Sequence, residues 1–141
     1  MVWKLRIRQG KRVRQQVPFM PDLLFVYDSR KVLDPLVEQI ATLQYRFVKG
    51  GNHQPMTVRN ADMERFIRAV DAMNNPCFYT PEEINPNMLG KKVRIVGGLL
   101  DGYEGCLQKM QGSRIKRLFV ELPNLLTATV EVQPEFIQVL R

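Results

Sequence analysis

Gly90-Lys91-Lys92-Val93-Arg94-Ile95-Val96-Gly97-Gly98-Leu99-Leu100-Asp101-Gly102-Tyr103-Glu104-Gly105 is the stretch on which the reading of this chain turns. Val93 and Ile95 alternate with charged neighbours, the period of a half-buried strand. Gly97-Gly98 and Asp101-Gly102 are turn signals. The glycine pair permits a tight loop carrying Leu99 and Leu100, and Gly105 allows close backbone approach where the next strand begins. Downstream, Gly105–Met110, Leu118–Leu122 and Ala128–Val132 read as further strands, with Gln111-Gly112-Ser113 as a turn. About five strands in some 50 residues predict a small β-barrel. It has few side chains to bury, so its stability must rest on tight packing of those few.

Upstream the pattern changes. Residues 76–89 hold Pro76, Pro81 and Pro86 among Glu82, Glu83, Asn85 and Asn87, with no hydrophobic period. They read as a linker. Before them, Met63, Phe66, Ile67, Val70 and Met73 recur at the helical period, with Asn60 or Asp62 as cap and Asn74-Asn75-Pro76 as stop. Leu33, Leu36, Val37 and Ile40 mark a second amphipathic helix, for which Asp34-Pro35 suits the cap and first position. Leu23-Leu24-Phe25-Val26-Tyr27 is a continuous apolar run that predicts a central strand covered on both faces. Tyr45–Val48 and Met56–Val58 are short strand candidates around the Lys49-Gly50-Gly51-Asn52 turn. At the start, Trp3, Leu5 and Ile7 alternate with Lys4, Arg6 and Arg8. Gln9-Gly10-Lys11 then turns the chain into Arg12–Val17, giving a basic β-hairpin.

The 141 residues, 45% hydrophobic and 25% charged, have the composition of a globular chain with room for one ordinary domain or two small ones. No apolar run suits a membrane span or a signal peptide. Cys77 and Cys106 form no CxxC pair, and His53 is the sole histidine, so a disulfide scaffold and a zinc site are both unexpected. Reduced thiols point to the cytoplasm. The net charge of +7 is lopsided. Residues 1–80 hold 13 basic and 7 acidic residues, and residues 81–141 hold 8 and 7. Six basic residues and no acid lie within residues 1–14, a strip suited to a polyanion. No GxSxG, P-loop or paired-carboxylate pattern appears, and His53 has no partnered nucleophile, so neither an enzyme nor a cofactor is expected.

The 90–105 stretch resembles the KOW motif of NusG-type transcription factors and several ribosomal proteins. The order of the rest is similar to a NusG-type factor: basic hairpin, Val-Pro-Phe-Met-Pro-Asp-Leu-Leu-Phe-Val-Tyr (residues 17–27), two helices, short linker, terminal KOW unit. Leu100–Gly105, Leu122–Leu126 and the tail Thr129–Val132 with Phe136–Val139 look most like the UpxY-type specialised paralogues, which act as antiterminators. The resemblance implies an α+β chain. Residues 1–78 would be a NusG-like α/β sandwich, an antiparallel sheet with two helices. Residues 79–89 would be a linker, and residues 90–141 an SH3-like KOW barrel. The family's opening strand and helix have no counterpart before the hairpin. A sheet without its first strand invites pairing between chains, so a homodimer or strand-swapped assembly is expected.

By the same resemblance the chain is expected to be a transcription elongation or antitermination factor. Phe19, Met20 and Leu23 would bind the clamp helices of RNA polymerase, with Leu and Met standing where the family has aromatics. Arg6, Arg8, Lys11, Arg12 and Arg14 would touch DNA backbone. Leu99, Leu100, Tyr103, Leu125 and Leu126 would carry the KOW contact with a ribosomal protein or termination factor. The alternative is a KOW-type RNA-binding protein associated with the ribosome, which the +1 charge of residues 81–141 weakens.

Overall fold

The first element is the expected hairpin, β1 (Val2–Arg8) and β2 (Lys11–Val17), antiparallel with Val2 opposite Val17 and Arg8 opposite Lys11. The computed structural model describes the chain except residues 1, 9, 10, 18, 21, 49, 52, 73–75 and 113; for residues 2–8, 11–17 and 72 it describes the backbone alone. The chain forms two compact units, residues 1–56 and residues 57–141. Among the described residues the fold is α+β, with two α-helices, the two-stranded hairpin and a six-stranded antiparallel sheet.

In the first unit, α1 (Arg30–Gln39) follows the hairpin. It begins five residues earlier than the Asp34-Pro35 reading, with Ser29 as N-cap and Pro35 inside. Pro35 has no N–H to give to Lys31, so one helical hydrogen bond is missing there. Leu23–Tyr27 is not a strand. It runs as coil, exposed from Leu24 to Tyr27, after a turn in which Leu23 N donates to Met20 O at 3.1 Å. An apolar run of strand length is ambiguous by period, and this one finds no ladder among the described residues. The short strands at residues 45–58 reduce to one bridge, Phe47 to Pro55, closed by Val48 N to Gln54 O (2.8 Å) and Met56 N to Arg46 O (2.6 Å). No described side chain of residues 19–56 is buried.

The second unit holds the core. α2 (Asn60–Ala72) packs on the sheet, burying Phe66 and Ala69, while Ile67 of the expected stripe is exposed and Met73 lies outside the described residues. β3 (Cys77–Tyr79) is an edge strand; β4 (Leu89–Ile95), β5 (Glu104–Gln108), β6 (Lys116–Leu122), β7 (Leu126–Val132) and β8 (Ile137–Val139) complete the order β3-β7-β6-β5-β4-β8. The ladder sets Leu118 opposite Val130, Val120 opposite Ala128, and Leu122 opposite Leu126. Opposed positions share a face, so these six side chains form one buried layer.

Unit and linker boundaries differ from the sequence reading. The division falls after Met56, so α2 belongs with the sheet rather than with the hairpin. Residues 79–89 do not run free between two domains. Cys77–Tyr79 pairs with β7, and Pro81 and Pro86 each open a short 3-10 turn, Pro81–Glu83 and Pro86–Met88. Glu83 closes the first by accepting from Thr80 N (3.0 Å) and Thr80 Oγ1 (2.9 Å). Prolines at the first helical position are turn starters as readily as linker markers.

The glycines of the 90–105 stretch behave as their chemistry demands. Gly97 and Gly98 have φ of +106° and +74°, and a Cβ on either would lie 2.9 Å from the ring of Phe136. A Cβ on Gly105 would lie 2.9 Å from the Phe119 carbonyl oxygen. Backbone and ring therefore approach where only hydrogen atoms fit.

Candidate functional site

Three places carry surface chemistry, and each is described within its own unit. The first is the hairpin. The side chains of Arg6, Arg8, Lys11, Arg12 and Arg14 lie outside the described residues; their backbone positions are fixed by the β1–β2 register, which sets Ile7 opposite Arg12 and Leu5 opposite Arg14. The first unit carries ten basic and four acidic residues, a net +6.

The second place is the segment after the hairpin. Phe19, Met20 and Leu23 are half-buried. The residues that follow are more open: Leu24 is 71% and Tyr27 85% exposed, with Phe25 and Val26 exposed between them. Along α1, Val32, Leu36 and Ile40 are also exposed. Spaced four apart, they form one apolar strip on the helix. Among the described residues, sixteen large hydrophobic side chains are exposed, and nine of them fall between residues 24 and 48. Such concentration makes the segment a candidate interaction surface. Sequence reasoning named the half-buried residues and missed the exposed ones, because it read the run as a core strand.

On the reverse side of α1, Asp34 accepts from Tyr45 Oη at 2.6 Å and from Arg30 Nε at 3.4 Å. The Tyr45 hydrogen bond outweighs the opposing cost of desolvation and, with lesser help from Arg30, holds the Asp34 carboxyl below its usual range.

The third place lies in the second unit, where α2 meets the start of β5. Tyr103 is buried, and its hydroxyl donates to the carbonyl oxygen of Arg65 at 2.8 Å. Burial pushes its pKa up, against the pull of Arg68 and Arg65. In return, Arg65 Nη2 donates to the Glu104 carbonyl at 2.6 Å, and the guanidinium stands 5.1 Å from the Tyr103 ring centre. Arg94 Nε donates to Glu104 Oε1 at 2.8 Å. The Glu104 carboxyl is held low first by that hydrogen bond and by the Arg94 charge, with lesser help from Lys92 and Arg65. Nothing in the sequence spacing joined Arg65 to Lys92 and Arg94 around Glu104, or Arg68 to Tyr103; they come together because α2 docks on the sheet.

Beside this cluster is a groove of about 410 Å³, floored by Phe119, Leu122 and Thr127 and rimmed by Arg65, Glu104, Cys106 and Glu121. Across the sheet, Arg117 is only 8% exposed. Its Nε donates to Thr129 Oγ1 (3.1 Å), and its Nη2 to Thr129 O (2.9 Å) and towards Cys77 Sγ (3.4 Å).

The five residues expected to meet a partner from the β-rich unit separate. Leu99 stands on its turn 69% exposed. Leu100, Tyr103, Leu125 and Leu126 are buried and belong to the core, because a sheet this small draws on apolar side chains from its turns as well as its strands. Among the described residues, no group of three or more His, Cys, Asp and Glu side chains could hold a metal ion, and no helix is long and apolar enough to cross a membrane. No family model, curated protein or solved structure matches this chain.

Proposed function

We propose that this chain is a transcription elongation or antitermination factor of NusG type, acting in the cytoplasm by binding rather than by catalysis. The observation that carries the reading is the exposed apolar segment Leu24–Tyr27 beside half-buried Phe19, Met20 and Leu23, in a unit of net charge +6. An apolar surface of this kind suits the helix-in-groove mode, with the clamp helices of RNA polymerase as the occupant. The basic hairpin then lies against DNA phosphate, giving a salt-dependent contribution without base readout. Bridging two parts of the polymerase favours its closed, elongating state by differential binding alone. The β-rich unit, a KOW barrel in this reading, recruits a ribosomal protein or termination factor, with Leu99 as its exposed contact.

The test is binding of the purified chain to bacterial core RNA polymerase at two salt concentrations, beside Leu24→Asp and Lys11→Gln/Arg12→Gln. Leu24 is exposed, so its replacement leaves the fold intact while placing a charge in the docking surface. The reading expects a loss of tenfold or more for Leu24→Asp, about 1.4 kcal/mol. It expects a shallower salt dependence for the hairpin variant. A folded chain that does not bind polymerase, or binds it equally well as Leu24→Asp, overturns the docking assignment.

A further inference from the structure

The charge of the second unit is nearly balanced, eleven basic against ten acidic residues, yet it is not evenly spread. On β4, Val93 and Ile95 point into the core, so Lys92 and Arg94 point outward. Across the ladder Arg94 faces Glu104 and Lys92 faces Cys106. From the other side come Arg65 and Arg68, one turn apart on α2. The paired bonds between Arg65 and the Tyr103–Glu104 backbone and side chain lock the helix at this point. Arg94, Lys92 and Arg65 thus bear on the Glu104 carboxylate, which Arg94 already satisfies, and Arg68 bears on the adjoining Tyr103 hydroxyl. Arg68 and Lys92 make no ion pair with any described residue. Glu64 and Asp71 lie one turn to either side of Arg68, but on the helix side turned further from the sheet.

We propose that the surface where α2 meets the β4–β5 ladder is a binding surface for the phosphodiester backbone of a nucleic acid, formed by Arg65, Arg68, Lys92 and Arg94. It is additional to the hairpin and does not depend on the polymerase reading. Cations spread along a helix and a strand match repeated phosphates better than a single small anion, which needs an enclosed cradle. The aromatic at the centre, Tyr103, is buried with its hydroxyl engaged, so it offers no anchor of the kind protein interfaces use. Glu104 limits affinity and orients Arg94 and Arg65.

The experiment is fluorescence anisotropy with the full chain, using a labelled duplex DNA and a labelled single-stranded RNA of about 20 nucleotides, titrated from low to physiological salt. In Arg68→Gln/Lys92→Gln, which removes neither a core contact nor a described hydrogen bond, affinity falls about tenfold or more. The slope of log K against log salt drops by about 1.8 on duplex or about 1.4 on single strand. The arm whose drop reaches the value expected for that form identifies the natural one. Glu104→Gln removes the acid at the centre of the cluster while keeping an acceptor for Arg94, so it binds several-fold tighter. A tightening cannot come from misfolding, and this variant decides should the double variant lose its fold. Hairpin variants lower affinity independently and leave the drop caused by Arg68→Gln/Lys92→Gln unchanged. The proposal falls if the double variant keeps the wild-type slope on both probes, which leaves the cluster to an acidic protein or to solvent. It also falls if Glu104→Gln binds no more tightly.

Discussion

At the scale of single residues, the glycines and one arginine carry the strongest constraints. Gly97 has both a positive φ and an aromatic ring 2.9 Å from its missing Cβ, whereas Gly102 has a φ of +86° but open space around it. Alanine at Gly102 therefore meets backbone strain alone, about 1 kcal/mol. Alanine at Gly97 adds the clash with Phe136 and should cost about 2–3 kcal/mol. Urea unfolding followed by circular dichroism measures both; equal losses would mean that Phe136 moves aside freely. Arg117 makes a different point. Its guanidinium is buried against Thr129 and meets Glu131 at 3.6 Å. Arg117→Ala removes the apolar stem and leaves Thr129 oxygens unsatisfied, a loss of about 3 kcal/mol. Arg117→Met keeps the stem but supplies no donor to Thr129, so it should recover only the packing part of that loss and still cost about 1–2 kcal/mol.

At the scale of elements, α1 shows what periodicity reveals and what it hides. Its apolar spacing at Leu33, Leu36, Val37 and Ile40 was readable, and the helix is there. Its start was misplaced because Pro35 suits a first helical turn so well that an interior proline looks excluded. The helix tolerates it at the loss of one hydrogen bond, so Pro35→Ala should raise helical circular dichroism and stabilise α1 locally by about 1–3 kcal/mol. The same helix supplies a pH dependence. Asp34 is more acidic in the folded chain than its ordinary 3.8, chiefly through the Tyr45 hydrogen bond. A depressed carboxyl pKa contributes stability that is complete above the unfolded value and is lost as pH falls through the folded one. Helical signal from α1 should therefore decline as pH drops below about 4, and Tyr45→Phe should flatten that decline. The strands of the second unit were legible for a plainer reason: their alternation and glycine turns are local. The pairing of Cys77–Tyr79 with β7 was not, since that ladder spans about fifty positions of sequence and three prolines obscure it.

At the scale of the whole chain, the two units differ in kind. Residues 57–141 own a buried layer across β4, β6 and β7, while no described side chain of residues 19–56 is buried. The described part of the first unit, residues 19–56, has little apolar burial to offset the entropy of ordering its backbone, so its stability should be far below that of the second unit. Composition could not reveal this, because apolar residues are as plentiful before Met56 as after it and only packing separates them. Hydrogen exchange of the free chain should show amides of residues 22–48 exchanging at least about 1,000-fold faster than those of β6 and β7, a gap of about 4 kcal/mol. Adding the partner should then slow exchange most at Leu23–Tyr27 and along α1, since burial there supplies the missing apolar contacts. If those amides are as protected as β7 in the free chain, the first unit has a core of its own, and its exposed hydrophobics lose their claim to be a docking surface.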